Sequence, residues 1–133
     1  MATLPTPIHD ATRLREALGG PARCPQILIK RDDLTALGLG GNKARKLEYL
    51  VADALGQRAT TLITTGAVQS NHARMTAAAA AISGLRSVLV LTTTTPEPEL
   101  AGNLLLDRLY GATVRLVPSV DPMLAVGRDE EVV

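Results

Sequence analysis

Thr60-Thr61-Leu62-Ile63-Thr64-Thr65-Gly66-Ala67-Val68-Gln69-Ser70-Asn71-His72 reads as a β-strand that turns, through a glycine, into the start of a helix. The helix opens at Ser70-Asn71-His72, runs through Ala77 to Ala81, and stops at Gly84. Its alanine run calls for close packing, since only small side chains let a helix lie tightly against several neighbours at once. Ser87-Val88-Leu89-Val90-Leu91 follows as the next apolar run, so the unit is strand, helix, strand. Farther on, Thr92 to Pro98 form a loop, a helix spans about Glu99 to Tyr110 with Gly111 as its stop, and Thr113-Val114-Arg115-Leu116-Val117 is another strand. Asp121-Pro122 pairs an N-cap with proline at the first helical position and could begin one more helix. Continuous apolar strands separated by helices specify an α/β fold: a parallel sheet with helices on both faces, joined by right-handed crossovers.

Upstream, Thr3-Leu4-Pro5-Thr6-Pro7-Ile8 is a proline-stiffened extended lead-in. Asp10 is placed to cap a short helix that ends at Leu18, before Gly19-Gly20-Pro21. Ile27-Leu28-Ile29, followed by Lys30-Arg31-Asp32-Asp33, reads as a buried strand ending in charge. A loop from Leu34 to Gly41 then leads to a helix from Lys43 to about Gly56, with Asn42 as its N-cap.

Within that helix, at about 100° per residue, Leu47, Leu50, Val51 and Ala54 share one stripe, and Lys43 lies one turn before Leu47 on the same side. Arg45 and Glu48 project to solvent. A first-turn cation meets exposed backbone N–H groups, and the covered face removes water from it; both favour the neutral amine, the form that attacks a carbonyl. Gly38, Gly40 and Gly41 allow a tight backbone path beside a ligand. The ordinary alternative is a lysine that reaches water along its four-carbon stem. Two phosphate-loop patterns fail: Asn42 precedes the lysine and Ala44 follows it where GxxxxGK[ST] needs glycine and a hydroxyl, and Lys43 stands where GxGxxG needs its last glycine.

At 133 residues and a formal net charge of +1, the chain forms one domain at most and offers no basic field for nucleic acid. Without tryptophan or phenylalanine, and with Tyr49 and Tyr110 alone, it has almost no platform for stacking bases. Cys24 is unpartnered in sequence, which suits a reducing cytoplasmic compartment. Residues 1–20 lack the apolar core of a signal peptide, and no stretch is apolar enough to span a bilayer, so no membrane partner is expected.

The second constellation of interest is the Ser70 loop itself. After a strand and at a helix start, its backbone amides and the Ser70 and Asn71 side chains can face an anion such as a carboxylate. The ordinary alternative is that Ser70 only caps the helix and His72 is an exposed first-turn residue. His72 has no histidine, cysteine or carboxylate at ligand spacing, so no metal site is expected, and His9 offers no Ser-His-Asp arrangement.

Taken together, GGNKARKLEYL at Gly40, TTGAVQSNHAR at Thr64 and GNLLLDRLYGATVRLV at Gly102 resemble, in order and spacing, the fold-type II pyridoxal-phosphate enzymes. Within them the resemblance is to the branch of D-cysteine desulfhydrase and 1-aminocyclopropane-1-carboxylate deaminase, and it runs from about Leu4 to Val117. It implies pyridoxal 5′-phosphate as cofactor and Lys43 as the Schiff-base lysine that later moves the α-proton. Asn71 is similar to the residue bonded to the cofactor's ring oxygen, Ser70 to the one beside the substrate carboxylate, and Lys46 to a basic residue near the phosphate. His72 and Leu104-Leu105-Leu106-Asp107 are more like the desulfhydrase, since the deaminase usually carries glutamine at the His72 position.

The implied reaction is α,β-elimination of D-cysteine to pyruvate, sulfide and ammonia; the deaminase instead opens a cyclopropane ring, and a non-catalytic α/β binding module is the alternative from another class. Members of the family are considerably longer, and the remainder supplies the glycine-rich phosphate cup and the group facing the pyridine nitrogen. The resemblance therefore implies residues 1–59 as part of a larger domain with the lysine helix, 60–117 as a small α/β domain, and 118–133 as a C-terminal segment. It also implies a small amino-acid substrate, with a homodimer or a complementary C-terminal chain completing the site.

Overall fold

A computed structural model describes residues 1–118, in the order β1 (Ile8–Asp10), α1 (Thr12–Ala17), β2 (Leu28–Lys30), α2 (Lys43–Gly56), β3 (Thr61–Ala67), α3 (Asn71–Ile82), β4 (Arg86–Thr93), α4 (Gly102–Leu109) and β5 (Thr113–Pro118). The helix expected from Asp121 lies outside the described residues. The class is the expected α/β one. Strands β3, β4 and β5 form a parallel sheet in that order, with Thr64 opposite Leu89 and Leu89 opposite Val114.

Helix α3 is the element that the others surround, and its alanines explain why. Ala73, Ala77, Ala79 and Ala80 are fully enclosed. On one flank Met75, Ala78 and Ala79 meet Leu37 and the α2 residues Ala44, Leu47 and Val51. On the other, Ala73 and Ala77 meet Leu89 and Leu91 of β4, Leu104 of α4, and Ala112. Each methyl lets a neighbouring backbone come close, so an alanine enlarged here would overpack the core at about 1–3 kcal/mol. Along the sheet, side chains alternate between faces. The α3 and α4 helices therefore cover the face that carries Leu89 and Leu91, while Ile63, on the opposite face, is 51% exposed.

Both ends of α3 are closed as the residues there dictate. The Ser70 hydroxyl accepts from the Ala73 backbone N–H at 3.2 Å, and at the far end the Leu85 N–H donates to the Ala80 carbonyl at 2.9 Å across Gly84, whose φ is +70°. Ser70→Ala is expected to lower stability by about 1 kcal/mol, read as a fall in the thermal midpoint, while Ser70→Asp holds it.

Four local expectations change. Asp10 does not cap α1: it ends β1, its carboxylate accepts from Gln26 Nε2 at 2.7 Å, and Ala11 takes the cap position without a side-chain bond. The Ile27–Ile29 run is not a buried strand. Its strand is β2, which pairs antiparallel with β1 as a separate two-stranded ribbon, and Leu28 is 57% exposed. Asn42 occupies the N-cap position of α2 but is itself helical (φ −64°, ψ −17°), so its side chain makes no capping bond.

The α4 helix starts at Gly102 rather than near Glu99, because Ala101 is extended (φ −139°, ψ 166°) and the turn is made at Gly102 with φ +56°. Its last residues do obey the sequence, with Gly111 at φ +78° behind them.

Candidate active site

The loop that delivers Lys43 is fixed by backbone bonds before the helix begins. The Gly41 N–H donates to the Asp32 carbonyl at 2.8 Å and to the Thr35 hydroxyl at 3.0 Å, and that hydroxyl, fully enclosed, lies 3.0 Å from the Gly41 carbonyl. At Gly40 (φ +81°) a β-carbon would stand 1.9 Å from the Asp33 carbonyl oxygen, so only glycine passes there.

Arg45 and Glu48 do not project free to solvent as expected. Arg45 forks onto Asp32, Nη2 to Oδ1 at 2.6 Å and Nε to Oδ2 at 2.9 Å, and Thr6 bonds to both partners. The guanidinium bonds hold the Asp32 carboxyl below its ordinary range. Glu48 instead receives the Ala2 N–H at 2.8 Å and the terminal ammonium at 3.2 Å, which lower its carboxyl in the same way. The sequence pattern missed both because each partner lies far away in the chain.

The buried stripe of α2 runs through Ala44, Leu47 and Val51, one position round from the expected one, and Leu50 is 52% exposed. Lys43 consequently sits at the margin of the stripe, half-buried, with Lys46 exposed one turn on. Neither amine has a hydrogen bond or ion pair among the described residues.

His72 lies in the first turn of α3. Its Nδ1 is enclosed without a partner, and its basicity is lowered, first by burial and then by the charges of Lys46 and Lys43. The fold thus brings Lys43, Lys46 and His72, from two helices, into one electrostatic neighbourhood. Ser70 and Asn71 stand beside His72 at the α3 start, where the first backbone N–H groups of a helix favour anions. An anion-bearing group with a carbonyl to capture fits this set: two amines without a partner among the described residues, a helix start and an imidazole of lowered basicity.

Three residues that sequence reasoning did not select complete the site. The Asn71 side-chain oxygen accepts from Arg74 Nη1 and from Asn103 Nδ2, both at 3.1 Å, and Arg74 Nη2 donates to the Gly40 carbonyl at 2.9 Å. Asn103 Nδ2 also donates to the Gln69 carbonyl at 2.7 Å, and its backbone N–H donates to Gln69 Oε1 at 2.9 Å. The Gly40 loop, the Ser70 loop and the start of α4 are thereby tied together. The only advance signal was local: Arg74 lies three residues after Asn71 on the same helix, a spacing that puts the two side chains side by side.

Comparison with known proteins decides the family. Residues 1–131 match the family described as "Pyridoxal-phosphate dependent enzyme". The chain belongs to that family. A bifunctional D-cysteine desulfhydrase/1-aminocyclopropane-1-carboxylate deaminase, mitochondrial, of Arabidopsis thaliana is 48% identical over 121 residues, 88% of this chain and 29% of that protein. A D-cysteine desulfhydrase of Salmonella paratyphi B is 49% identical over 123 residues, 89% of this chain and 36% of the relative. A crystal structure of an ACC deaminase homologue superposes with a TM-score of 0.86 at 43% identity, covering 98% of this chain and 38% of its own. The chain thus spans about a third of the length of the relatives it matches, 29% and 36% of these two. Pyridoxal phosphate is the cofactor of that family, the relatives are named for ACC deaminase and D-cysteine desulfhydrase, and the structural neighbour shows the expected fold-type II arrangement. Among the described residues no helix is long and apolar enough to cross a membrane.

Proposed function

We propose that the protein works in the α,β-elimination of D-cysteine, with water taken up and pyruvate, sulfide and ammonia released. The observation that carries this reading is the pair of amines, Lys43 and Lys46, that have no partner among the described residues, beside an imidazole whose basicity is lowered by burial and by those same charges. Bound pyridoxal phosphate supplies an electron sink for negative charge at the substrate α-carbon. The protein's residues hold the reactants and move the proton. Lys43 Nζ would hold the cofactor and would serve as the base toward the α-proton. Lys46 provides a point charge for the phosphate. Asn71 Nδ2 donates to the ring oxygen, and Ser70 with the first N–H groups of α3 receives the substrate carboxylate. His72, uncharged, borders the substrate without repelling the lysines.

Deamination of 1-aminocyclopropane-1-carboxylate is the second reading, favoured by relatives so named, such as that of Burkholderia multivorans at 49% identity. Histidine at position 72 favours the desulfhydrase. On either reading residues 60–117 act as a small domain beside residues 1–59, a second copy or a complementary chain closes the site, and the single cysteine suits a cytoplasmic setting.

The test is incubation with pyridoxal phosphate, desalting, borohydride reduction and peptide mapping, followed by assay of sulfide from D-cysteine against 2-oxo acid from the cyclopropane. The reading requires an adduct on Lys43 and sulfide release; adducts scattered over surface lysines overturn it. Lys46→Ala is expected to weaken cofactor retention roughly tenfold, the scale of one charge-assisted contact, and to leave the adduct position unchanged.

A further inference from the structure

Every amide in the network around Asn71 has one permitted orientation, because each chain of bonds ends on a group that can only donate or only accept. Gln69 Nε2 donates to the Ala101 carbonyl at 3.1 Å, which leaves Gln69 Oε1 to receive the Asn103 N–H. Asn103 Nδ2 points at the Gln69 carbonyl, so Asn103 Oδ1 is the atom that accepts from Arg74 Nη1, at 3.0 Å. A guanidinium has no acceptor and Asn103 presents its amide nitrogen, so the Asn71 atom between them is its oxygen. The Asn71 Nδ2 is therefore directed away from the network, and it has no hydrogen-bond partner among the described residues.

Arg74 is the member that joins this orientation to the lysine helix. One nitrogen, Nη1, serves both asparagines, while Nη2 holds the Gly40 carbonyl, three residues before Lys43. A planar fork can do this with fixed geometry where a lysine amine cannot. Its positive charge on the Asn71 carbonyl also draws electrons from the amide and makes the outward N–H a stronger donor.

We propose that Arg74 is a positioning residue that sets the Asn71 carboxamide with its N–H groups outward and keyed to the Gly40 loop, so that Asn71 presents a polarised donor to an anionic oxygen of the cofactor. The last clause rests on the function proposed above; the orientation does not.

The experiment uses the full chain labelled with ¹⁵N. The Asn71 carboxamide pair is assigned by its disappearance in Asn71→Asp, and spectra of Arg74→Gln and Arg74→Lys are recorded without cofactor. Arg74→Gln should move the Asn71 pair, with Arg74→Lys falling between it and the wild type. An Asn71 pair unmoved in Arg74→Gln overturns the proposal. Asn71→Asp gives a test that does not depend on Arg74→Gln folding: a carboxylate accepts from both donors, so its thermal midpoint should equal or exceed that of the wild type, and a fall overturns the proposal.

Pyridoxal phosphate is then added and retention after desalting is measured. Asn71→Asp, with oxygen in place of the outward N–H, should retain the cofactor at least about tenfold less well. Shifts as stated with a wild type that retains no cofactor would uphold the orientation and defeat the proposed function; retention with unmoved shifts would do the reverse.

Discussion

Lys43→Ala abolishes covalent attachment of pyridoxal phosphate, leaving no visible band after desalting and no reduced adduct in the α2 peptide. The expectation is total because no other described lysine combines this chain position with half-burial beside the α3 start: Lys46 is exposed, and Lys30 is occupied by the Thr6 carbonyl. Loss of fold is not an alternative explanation. Alanine is the better helix former, and removing a cation from the first turn of α2 relieves its conflict with the exposed N–H groups, so the thermal midpoint should hold or rise. The substitution also has an electrostatic signature that needs no cofactor. With one of two neighbouring charges gone, His72 should become more basic, yet remain below its ordinary value because burial, the largest cause, and Lys46 persist. Titration of the His72 ring protons by NMR reads this directly. An adduct that persists elsewhere in Lys43→Ala removes the lysine from its assigned role.

The second large effect concerns Asp107, which is 0% exposed and has no hydrogen-bond partner on either carboxyl oxygen among the described residues. Burial pushes its pKa up to about 6 from 3.8, against the opposing pull of Arg74. A carboxyl that is raised in the folded state keeps its proton where the unfolded chain has lost it. Its effect on stability is thus absent below about pH 4, grows unfavourable as pH rises to about 6, and is constant above that. A rise from 3.8 to about 6 corresponds to a loss of up to about 3 kcal/mol.

Asp32, Asp33 and Glu48, all lowered, act in the opposite sense and at lower pH, where protonation removes their ion pairs. The difference between wild type and Asp107→Asn isolates the one group. Asn has nearly the same shape and cannot ionise, so the two thermal midpoints should agree near pH 4 and separate by roughly 10 °C in favour of the variant at pH 7. Midpoints that stay parallel from pH 4 to 7 would show that Asp107 does not carry the dependence.

Asp107 also illustrates why part of the buried interior escaped the sequence. In Leu104-Leu105-Leu106-Asp107 the charge reads as the polar end of an apolar run, yet it falls three residues after Leu104 and so on the same buried face of α4. Whether that face meets water or α3 is decided by packing. Ile27-Leu28-Ile29 is the reverse case: an apolar run that promises burial but pairs only with β1. Hydrophobicity sets the tendency to leave water, and the neighbours available set whether the tendency is met. Arg45 behaves similarly, since its helical position points outward until Asp32 arrives from the preceding loop.

By itself the sequence determined the parallel strand-helix order from Thr60 to Val117, the Lys43 helix and its extent, the Ser70 cap, and the family motifs. These are local: periodicity, a capping hydroxyl and glycines at forced turns act within a few residues and survive any rearrangement of the rest. The tertiary structure alone decided that the stripe of α2 centres on Ala44 and leaves Lys43 at its margin, that His72 feels both lysines, and that Arg74 and Asn103 lock Asn71. Those facts depend on distances between segments that lie 26 to 34 residues apart in the chain, and only packing around α3 brings such segments together.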